Sequence, residues 1–326
     1  MILWITPGYV AVLPMNQMRR PAGKHGRRRV NGVLFIDKPV GITSNGVLGA
    51  LKRLYNTDKA GHTGTLDPFA TGLLPVALGE ATKFSGHLID ADKTYLATMR
   101  LGVTTDTGDL DGAVLATRAV SVTEDQLRET MLKFRGEIDQ VPPMYSALKR
   151  DGKPLYEYAR AGITLARASR RITIHALDPL GFDGTSAAFR VACTKGTYVR
   201  TLAEDIGAAL GCGAHLTALR RERTGPFAID LAITPAAIEA TPPEQRDALL
   251  LPLDALILHL PRIDTDAAAA ARLRLGQKLS MHSLGVSVEG LYRVYDQAGA
   301  LTGLVQAALG AIIPERLVAQ CFQADA

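Results

Sequence analysis

Cysteine is scarce in this chain of 326 residues, which has Cys193, Cys212 and Cys321 and no close pair among them. An odd number of dispersed cysteines is typical of a reducing compartment. We therefore expect free thiols and a cytoplasmic protein. No CxxC, HExxH or HxxxH pattern occurs, so we expect no metal site. Apolar runs fall well short of the ~20 residues that a membrane helix requires, so we expect no membrane span.

The motifs of several common enzyme classes are also missing. The chain has no GxxxxGK[ST] phosphate loop, no GxGxxG following a strand and no GxSxG nucleophile elbow. The polar loop 104–112 resembles a calcium loop only faintly. Gly108 would fall at its third ligand position, and no glutamate closes it at the required distance. We therefore exclude calcium.

Positive charge is in slight excess, with 37 lysines and arginines against 32 acids, a net charge of +5 and a pI near 9.1. This balance is a modest indication of a polyanionic partner. Residues 19–29 hold six cations and no acid, the pattern of a solvated tail or a nucleic-acid-binding arm. Residues 1–18 carry no charge. We expect them to make few contacts and the true start to be Met15 or Met18.

Hydrophobic patterning predicts an α+β protein. Strands are expected at residues 30–37, 93–101, 170–177 and 187–193, and helices at 43–55, 80–90, 123–134, 155–161 and 198–210. Residues 226–263 are expected to be rich in helix. Beyond residue 263 the composition shifts to an alanine-rich helix at 267–275 and short strands at 290–295, 301–307 and 316–321. We therefore expect an N-terminal extension (1–29), a main domain (30–258) and a small β-rich domain (259–326).

One segment, residues 60–83, concentrates groups capable of chemistry. It reads AGHTGTLDPFATGLLPVALGEATK and displays one carboxylate, Asp67, on a glycine-rich loop before an apolar run. Asp67 precedes a proline, which pushes it out of the helical region and predicts a turn. A carboxylate on a constrained loop backed by buried chain is a plausible reactive group.

Other candidate polar and aromatic groups lie on loops and strand ends: Lys38, His62, Lys83, Tyr95, Tyr198 and Arg200. An arginine beside Asp67 would keep the carboxylate ionised, and tyrosines could stack on a planar ligand. These residues alone leave two interpretations open. One is chemistry on a nucleic-acid base; the other, which is commoner, is a structural ion pair.

The segment 60–83 resembles the tRNA pseudouridine synthase B family. The similarity extends through GVLFIDKPVGITSN before it and DADKTYLATMRLGVTTDTGDLDG after it. It continues in FRGEIDQVPPMYSALKRDGKPLYEYARAG, CTKGTYVRTLAEDIG and LGCGAHLTALRR. The matching blocks run in order from about residue 29 to residue 256. The last 65 or so residues resemble the family's PUA-like RNA-binding domain more loosely.

This resemblance implies a pseudouridine synthase fold, with a central mixed or antiparallel sheet flanked by helices, and a β-rich PUA-like domain. It implies isomerisation of uridine 55 in the T loop of tRNA, without cofactor or metal. Asp67 would be the catalytic carboxylate, oriented by Arg200. Tyr95 would stack on the flipped base and act as a base, and Tyr198 and Leu219 would line the pocket. His62 would buttress the T loop.

Further expectations concern contacts and partners. Lys38 and Lys83 would support the site or contact phosphate, and residues 19–29 and 220–223 would contact phosphates. The tRNA T arm would be the partner of a monomer that needs no obligatory protein partner. Two alternatives remain: a tRNA-folding chaperone in which modification is secondary, and a guide-RNA-dependent synthase subunit. The blocks around Tyr145 and Cys212 favour the stand-alone enzyme.

Overall fold

The structure is a computed structural model and describes residues 26–319. The expected contacts of residues 1–18, most of the basic arm and Cys321 lie outside the described residues. Within residues 26–319, no helix is long and apolar enough to cross a membrane.

A mixed sheet forms the body of the protein. The strands of this part of the chain are β1 Gly32–Lys38, β2 Ala60–His62, β3 Thr71–Leu78, β4 Lys93–Leu101, β5 Val103–Thr105, β6 Val114–Thr117, β7 Gly136–Gln140, β8 Lys149–Arg150, β9 Lys153–Pro154, β10 Arg170–Phe182, β11 Ser186–Cys193, β12 Ala214–Thr224 and β13 Phe227–Ala228. The strand order of the main sheet is β1-β3-β12-β4-β11-β10-β7. β2 pairs with β3 and β13 with β12, while β5–β6 and β8–β9 form separate two-stranded sheets.

Helices cover the sheet because each has one apolar stripe to bury. The α-helices are α1 Ser44–Leu54, α2 Gly86–Ile89, α3 Glu124–Leu132, α4 Leu155–Arg160, α5 Val199–Ala209, α6 Pro235–Ala240 and α7 Ala267–Arg274. Short 3-10 helices are Gly79–Phe84, Ile229–Leu231, Pro243–Leu249, Ala255–Ile257 and His282–Leu284. Residues of α1, α3, α5 and α6 share one apolar core with the sheet. A smaller core on the other face of β1 and β3 includes Leu88 and Leu256.

The main sheet opens between β3 and β12. These two strands run parallel and pair only through Arg220 with Thr71 and Arg221 with Gly72. Gly72 has a φ of 101°, and a Cβ there would lie 2.4 Å from the Arg221 carbonyl oxygen. The close approach of the two strands therefore requires glycine at this position. Before Thr71 the strands separate, and the loop that carries Asp67 lies at that opening.

The C-terminal residues form a second sheet with the order β14-β16-β17-β18-β15 and its own apolar core. Its strands are β14 Arg262–Asp264, β15 Leu279–Ser280, β16 Gly290–Tyr295, β17 Leu301–Ala308 and β18 Ala311–Leu317. A small cluster of Phe84, Ile257 and Leu304 joins this sheet to the main body.

The expected α+β class, with a mixed main sheet and a β-rich C-terminal part, is confirmed. Two expectations need correction. β18 begins at Ala311 rather than at residue 316, because its isoleucines and Pro314 pair along β17. The stretch 226–263 contains α6 as its only α-helix, and its other helical turns are short 3-10 segments separated by prolines.

Candidate active site

Asp67 lies in the short loop between β2 and β3, and main-chain hydrogen bonds hold that loop in place. The Ser44 hydroxyl at the start of α1 donates to the Leu66 carbonyl at 3.0 Å and accepts from the Leu66 amide at 2.8 Å. The Gly41 amide donates to the Pro68 carbonyl at 2.8 Å. Both neighbours of Asp67 in the chain are therefore anchored, which fixes the direction of its carboxylate.

Lys38 is fully buried at the end of β1, and its ammonium group supports the same loop. It donates to the carbonyls of Pro39, Ile42 and Pro68 at 2.9, 2.7 and 3.2 Å. Burial lowers the pKa of Lys38 to about 8, and the nearby Asp67 opposes this shift. Because all three acceptors are carbonyl oxygens, the structure assigns Lys38 a supporting contact to the loop.

Arg200 joins Asp67 to a second carboxylate. Its Nε atom lies 3.0 Å from Oδ2 of Asp67, and Nη1 lies 3.4 Å from Oδ2 of Asp109. The guanidinium also donates to the carbonyls of Thr107 and Tyr145, both at 2.8 Å. Arg200 stands in the first turn of α5 and its side chain is 4% exposed. The contacts to Asp109, Thr107 and Tyr145 thus hold the guanidinium in place, with its Nε edge toward Asp67.

The surroundings of Asp67 shift its pKa in opposing directions. Burial raises the pKa of the carboxyl above its usual value, Arg200 and Lys38 lower it, and Asp109 raises it again. The Asp67 side chain nevertheless remains 35% exposed, whereas that of Asp109 is 6% exposed. Asp67 is therefore the carboxylate of this pair that a ligand can reach.

Two tyrosines lie within the electrostatic reach of Asp67. Tyr95 lies on β4, and burial raises the pKa of its phenol, with Asp67 adding to the shift and Arg221 opposing it. Tyr198 precedes α5, and Gln140 fixes its backbone by accepting from its amide at 2.8 Å and donating to its carbonyl at 3.1 Å. Burial also raises the pKa of Tyr198, which lies within the electrostatic reach of Arg200 and Asp67. Both phenols are consequently neutral near pH 7.

Leu219 lines a cleft of about 670 Å³ at the opening between β3 and β12. Pro68 and Phe69, which directly follow Asp67, line the same cleft, as do Thr71 and Thr217. Apolar side chains and threonine hydroxyls make up most of the lining, and the charged side chains of Asp111 and Arg220 also belong to it. Such a cleft offers a planar base both apolar surface and hydrogen-bond partners.

His62 lies on β2, and its Nδ1 atom accepts from the Gly64 amide at 3.3 Å. Burial lowers the pKa of His62, and Arg221 adds to this effect. The structure therefore places a neutral imidazole at one end of the loop that carries Asp67. It brings together Asp67, Tyr95, Tyr198, Arg200 and Lys38, with Leu219 and His62 at the periphery.

Lys83 is not part of this group. Its ammonium donates to Oε2 of Glu80 at 2.6 Å and to the Leu317 carbonyl at 2.8 Å, which links the main body to β18. The expected phosphate contacts at 220–223 need correction for Arg221, which is 1% exposed. Arg220 forms a two-pronged pair with Asp37 at 2.8 and 3.0 Å but keeps 38% of its side chain exposed, and Arg223 is exposed. In the described end of the basic arm, Arg27 and Arg28 pair with Asp58 and Asp247.

Sequence reasoning missed three charged groups beside the site: Asp109, Arg221 and Glu204. Burial raises the pKa of Glu204 to about 7, and Arg200 opposes that shift. Asp109 lies in the loop 104–112, which resembles a calcium loop only faintly. Arg221 belongs to the basic stretch 220–223, for which phosphate contact is the expectation. Strand alternation offered a signal, since adjacent arginines on one strand point to opposite faces.

Three family models match consecutive parts of the chain. The TruB family pseudouridylate synthase N-terminal domain matches residues 52–199. The tRNA pseudouridylate synthase B C-terminal domain matches residues 200–258, and the pseudouridine synthase II TruB C-terminal domain matches residues 261–318. Every group gathered at Asp67 except Lys38 falls within the first two matches. The fold and site therefore define a pseudouridine synthase, an isomerase that converts uridine to pseudouridine.

Comparison with individual relatives identifies the family within the class of pseudouridine synthases. The tRNA pseudouridine synthase B of Aromatoleum aromaticum is 58% identical over 90% of this chain and 95% of its own length. That of Burkholderia mallei is 55% identical over 91% of this chain and 97% of its own. The chain belongs to the tRNA pseudouridine synthase B family.

Solved structures share the fold at lower identity. A chain of an H/ACA RNP bound to a substrate RNA containing 2′-deoxyuridine is 28% identical, with a TM-score of 0.67, over 88% of this chain and 84% of its own. A chain of a Cbf5-Nop10-Gar1 complex is 30% identical, with the same TM-score of 0.67 and the same coverage. These likenesses extend over both the main body and the C-terminal sheet.

Proposed function

We propose that this protein isomerises uridine 55 in the T loop of tRNA to pseudouridine, with Asp67 as the catalytic carboxylate. The observation that carries the proposal is the contact between Asp67 and Arg200, 3.0 Å long, at the edge of an apolar cleft. Relatives of 55–58% identity named tRNA pseudouridine synthase B support tRNA as the substrate.

The target uridine reaches Asp67 by leaving the stack of the T loop. Extrusion of a base costs a few kcal/mol, which stacking and polar contacts in the pocket offset. Tyr95 provides the aromatic surface, Leu219 the apolar wall and Tyr198 the far side of the pocket. His62, which is neutral, buttresses the T loop at the space left by the extruded base.

Asp67 acts on the sugar of the extruded nucleotide. The carboxylate either attacks C1′ or drives elimination to a glycal, and both routes require it to be ionised and held close to the ribose. Arg200 maintains the ionised form and the orientation. After the bond between N1 and C1′ breaks, the uracil rotates within the pocket and rejoins the sugar through C5.

The main sheet and the C-terminal sheet have separate apolar cores, which supports separate roles for the two parts of the chain. We propose that residues 30–258 form the catalytic domain and residues 259–326 a PUA-like domain that binds another part of the same tRNA. We further propose that the protein works in the cytoplasm as a monomer without an obligatory protein partner or cofactor. The buried free thiols Cys193 and Cys212 support a reducing compartment.

The experiment that tests the catalytic assignment is site mapping of pseudouridine in tRNA. Unmodified tRNA is treated with wild-type protein, with Asp67→Asn and with Asp125→Asn, an exposed carboxylate in the first turn of α3. We expect pseudouridine at position 55 with wild type and Asp125→Asn and none with Asp67→Asn. Normal conversion by Asp67→Asn would contradict the assignment.

The same variant addresses the two alternatives. If the protein is mainly a tRNA-folding chaperone, Asp67→Asn retains both tRNA binding and its effect on tRNA folding. The H/ACA structures raise the alternative of a guide-RNA-dependent subunit. The identity of 28–30% to those chains against 55–58% to the tRNA enzymes favours the stand-alone enzyme. Conversion of an isolated T-arm hairpin by the purified chain alone distinguishes these cases.

A further inference from the structure

Arg221 is a buried arginine without a carboxylate partner. The residue is 1% exposed. Its Nε donates to the Leu73 carbonyl at 2.7 Å, and its Nη2 donates to the Gly64 carbonyl at 3.1 Å. Within residues 26–319, no Asp or Glu lies within ion-pair distance of its guanidinium, in contrast to Arg200. A buried cation without a counter-ion is unfavourable unless its donors are satisfied or its charge is used.

The position of Arg221 is set by strand register. Arg221 lies directly opposite Tyr95 in the antiparallel pair of β12 and β4, so both side chains project from the same face of the sheet. The phenol of Tyr95 also lies within the electrostatic reach of the guanidinium. The strand on the other side approaches closely, because Gly72 of β3 has no side chain to separate it from the Arg221 backbone.

The groups around this pair give Arg221 a distinct electrostatic role. Burial is the main cause of the lowered pKa of Lys38, Lys93 and His62, and Arg221 lowers the pKa of each further. Cys193 and Asp67 also act electrostatically on Tyr95, and both raise its pKa. An arginine side chain stays protonated in proteins. Arg221 is therefore the permanent positive charge beside the Tyr95 oxygen, and its neighbours can lose theirs.

We propose that Arg221 is a positioning residue that holds the phenol oxygen of Tyr95 and stabilises its phenolate form while Tyr95 moves protons on the uracil ring. This inference rests on the proposed function. Arg200 and Arg221 thus divide the work: Arg200 orients a carboxylate toward the sugar, and Arg221 orients a phenol toward the base.

Tyr95 gives one proton to the uracil ring and takes one back, so it ends the reaction unchanged. In the isomerisation, the uracil ring loses one proton at C5 and gains one at N1. Tyr95 carries both transfers. Its phenol proton goes to N1, and its oxygen then takes the proton from C5, while the electron pair of the C5–H bond returns to the ring. Between the two transfers Tyr95 is a phenolate, and a fixed guanidinium beside the oxygen stabilises that state.

A double-mutant cycle tests this role. Single-turnover rates at saturating protein are measured for wild type, Arg221→Met, Tyr95→Phe and the double variant. We expect Arg221→Met to slow conversion by about 100-fold, as for removal of one buried donor to a developing anion. We expect tRNA affinity to stay within about twofold, because the guanidinium is buried away from RNA. In the Tyr95→Phe background, the same substitution should slow conversion by less than about threefold.

Two further variants separate positioning from simple structural support. Arg221→Lys keeps a cation and is expected to recover part of the rate lost in Arg221→Met. A ring-fluorinated tyrosine at position 95, whose phenol ionises more readily, should also speed the Arg221→Met variant. Arg190→Met is the matched control, since Arg190 is exposed on β11 and pairs with Glu222 at 2.8 Å. Its rate should equal that of wild type.

Two results would contradict the role proposed for Arg221. If the losses of Arg221→Met and Tyr95→Phe multiply in the double variant, or if Arg221→Met converts tRNA at the wild-type rate, the proposal is wrong. Where thermal unfolding shows that Arg221→Met does not fold, Arg221→Lys takes its place in the cycle, with the same expected loss of effect in the Tyr95→Phe background. The coupling is measured at whichever uridine wild type converts. Failure to modify position 55 would therefore overturn the proposed function without deciding the role of Arg221.

Discussion

The Nε atom of Arg200 lies 3.0 Å from Oδ2 of Asp67, at the point where the main sheet opens. The same guanidinium reaches Asp109, which is far more buried than Asp67. One cation thus serves two carboxylates with different exposure. The buried Asp109 holds the arginine in place, and the more exposed Asp67 remains accessible to a ligand.

Loss of Arg200 should destabilise the fold as well as the site. Arg200→Met leaves the buried Asp109 without its cationic partner, and breaking a buried pair in this way costs about 3–5 kcal/mol. We expect the free energy of unfolding, measured with urea, to fall by roughly that amount.

Asp109→Asn serves as the control for that loss. Added to Arg200→Met, it removes the stranded charge and should restore part of the stability without restoring activity. A double variant no more stable than Arg200→Met would show that the lost contacts to Thr107 and Tyr145 dominate instead.

The charge of Asp109 should also set the acid limit of the reaction. Catalysis requires ionised Asp67, so the rate falls as the pH drops through the pKa of this carboxyl. Burial raises that pKa, and Asp109 raises it further. Asp109→Asn removes the like charge and leaves Arg200 to Asp67 alone, so the pKa should decrease. Single-turnover rates against pH should show the acid limb displaced to lower pH. An unchanged or higher limb would mean that Asp109 does not act on Asp67 electrostatically.

Lys38 gives a prediction for stability against pH. Its pKa is depressed from 10.5 to about 8 in the folded protein. The unfolded chain therefore binds more protons between these values, and the contribution of Lys38 to stability rises with pH across that window. The full change is up to about 3 kcal/mol. In Lys38→Met this rise should be missing, and the loss of donors to three carbonyls should lower stability by about 1–3 kcal/mol at pH 7.

Urea unfolding of wild type and Lys38→Met at several pH values measures both effects. Lys93, whose pKa is also lowered to about 8, keeps its own contribution in both proteins and cancels in the comparison. Parallel stability curves for the two proteins would contradict the prediction.

Local patterns in the sequence predicted seven of the 18 strands in the described part of the chain and most of the α-helices, but neither β3 nor β12 of the main sheet. The capping box at Thr123 marked the start of α3, and the apolar alternation around Phe189 marked β11. The strand β7 was missed because most of its side chains are exposed at the sheet edge and polar. Strands of this kind are defined by their hydrogen-bond partner, which lies elsewhere in the chain.

Only those site residues that have a recognisable local sequence pattern could be predicted. Asp67 stood out because it lies on a glycine-rich loop directly before a proline and an apolar run, and the family motifs supplied Tyr95 and Arg200. The pairing of Arg200 with Asp109 and of Arg221 with Tyr95 could not be read from sequence. Both depend on which strands and loops become neighbours, and a buried arginine has the same local sequence signature as an exposed one.

The narrow contact between β3 and β12 should be sensitive to a single methyl group. Gly72→Ala places a Cβ 2.4 Å from the Arg221 carbonyl oxygen and 2.7 Å from its amide nitrogen, at a φ of 101°. Backbone atoms on both strands must move, so we expect a loss of about 2–4 kcal/mol in stability. Arg221 would be displaced from Tyr95, and activity should fall with stability.

Gly152→Ala is the matched control, since Gly152 also has a positive φ of 79° but has no atom within 4 Å of the added Cβ. It should lose only about 1 kcal/mol, the cost of the left-handed backbone for a residue with a side chain. Thermal and urea unfolding of the two variants measures the difference, and equal losses would show that backbone strain rather than strand contact governs position 72.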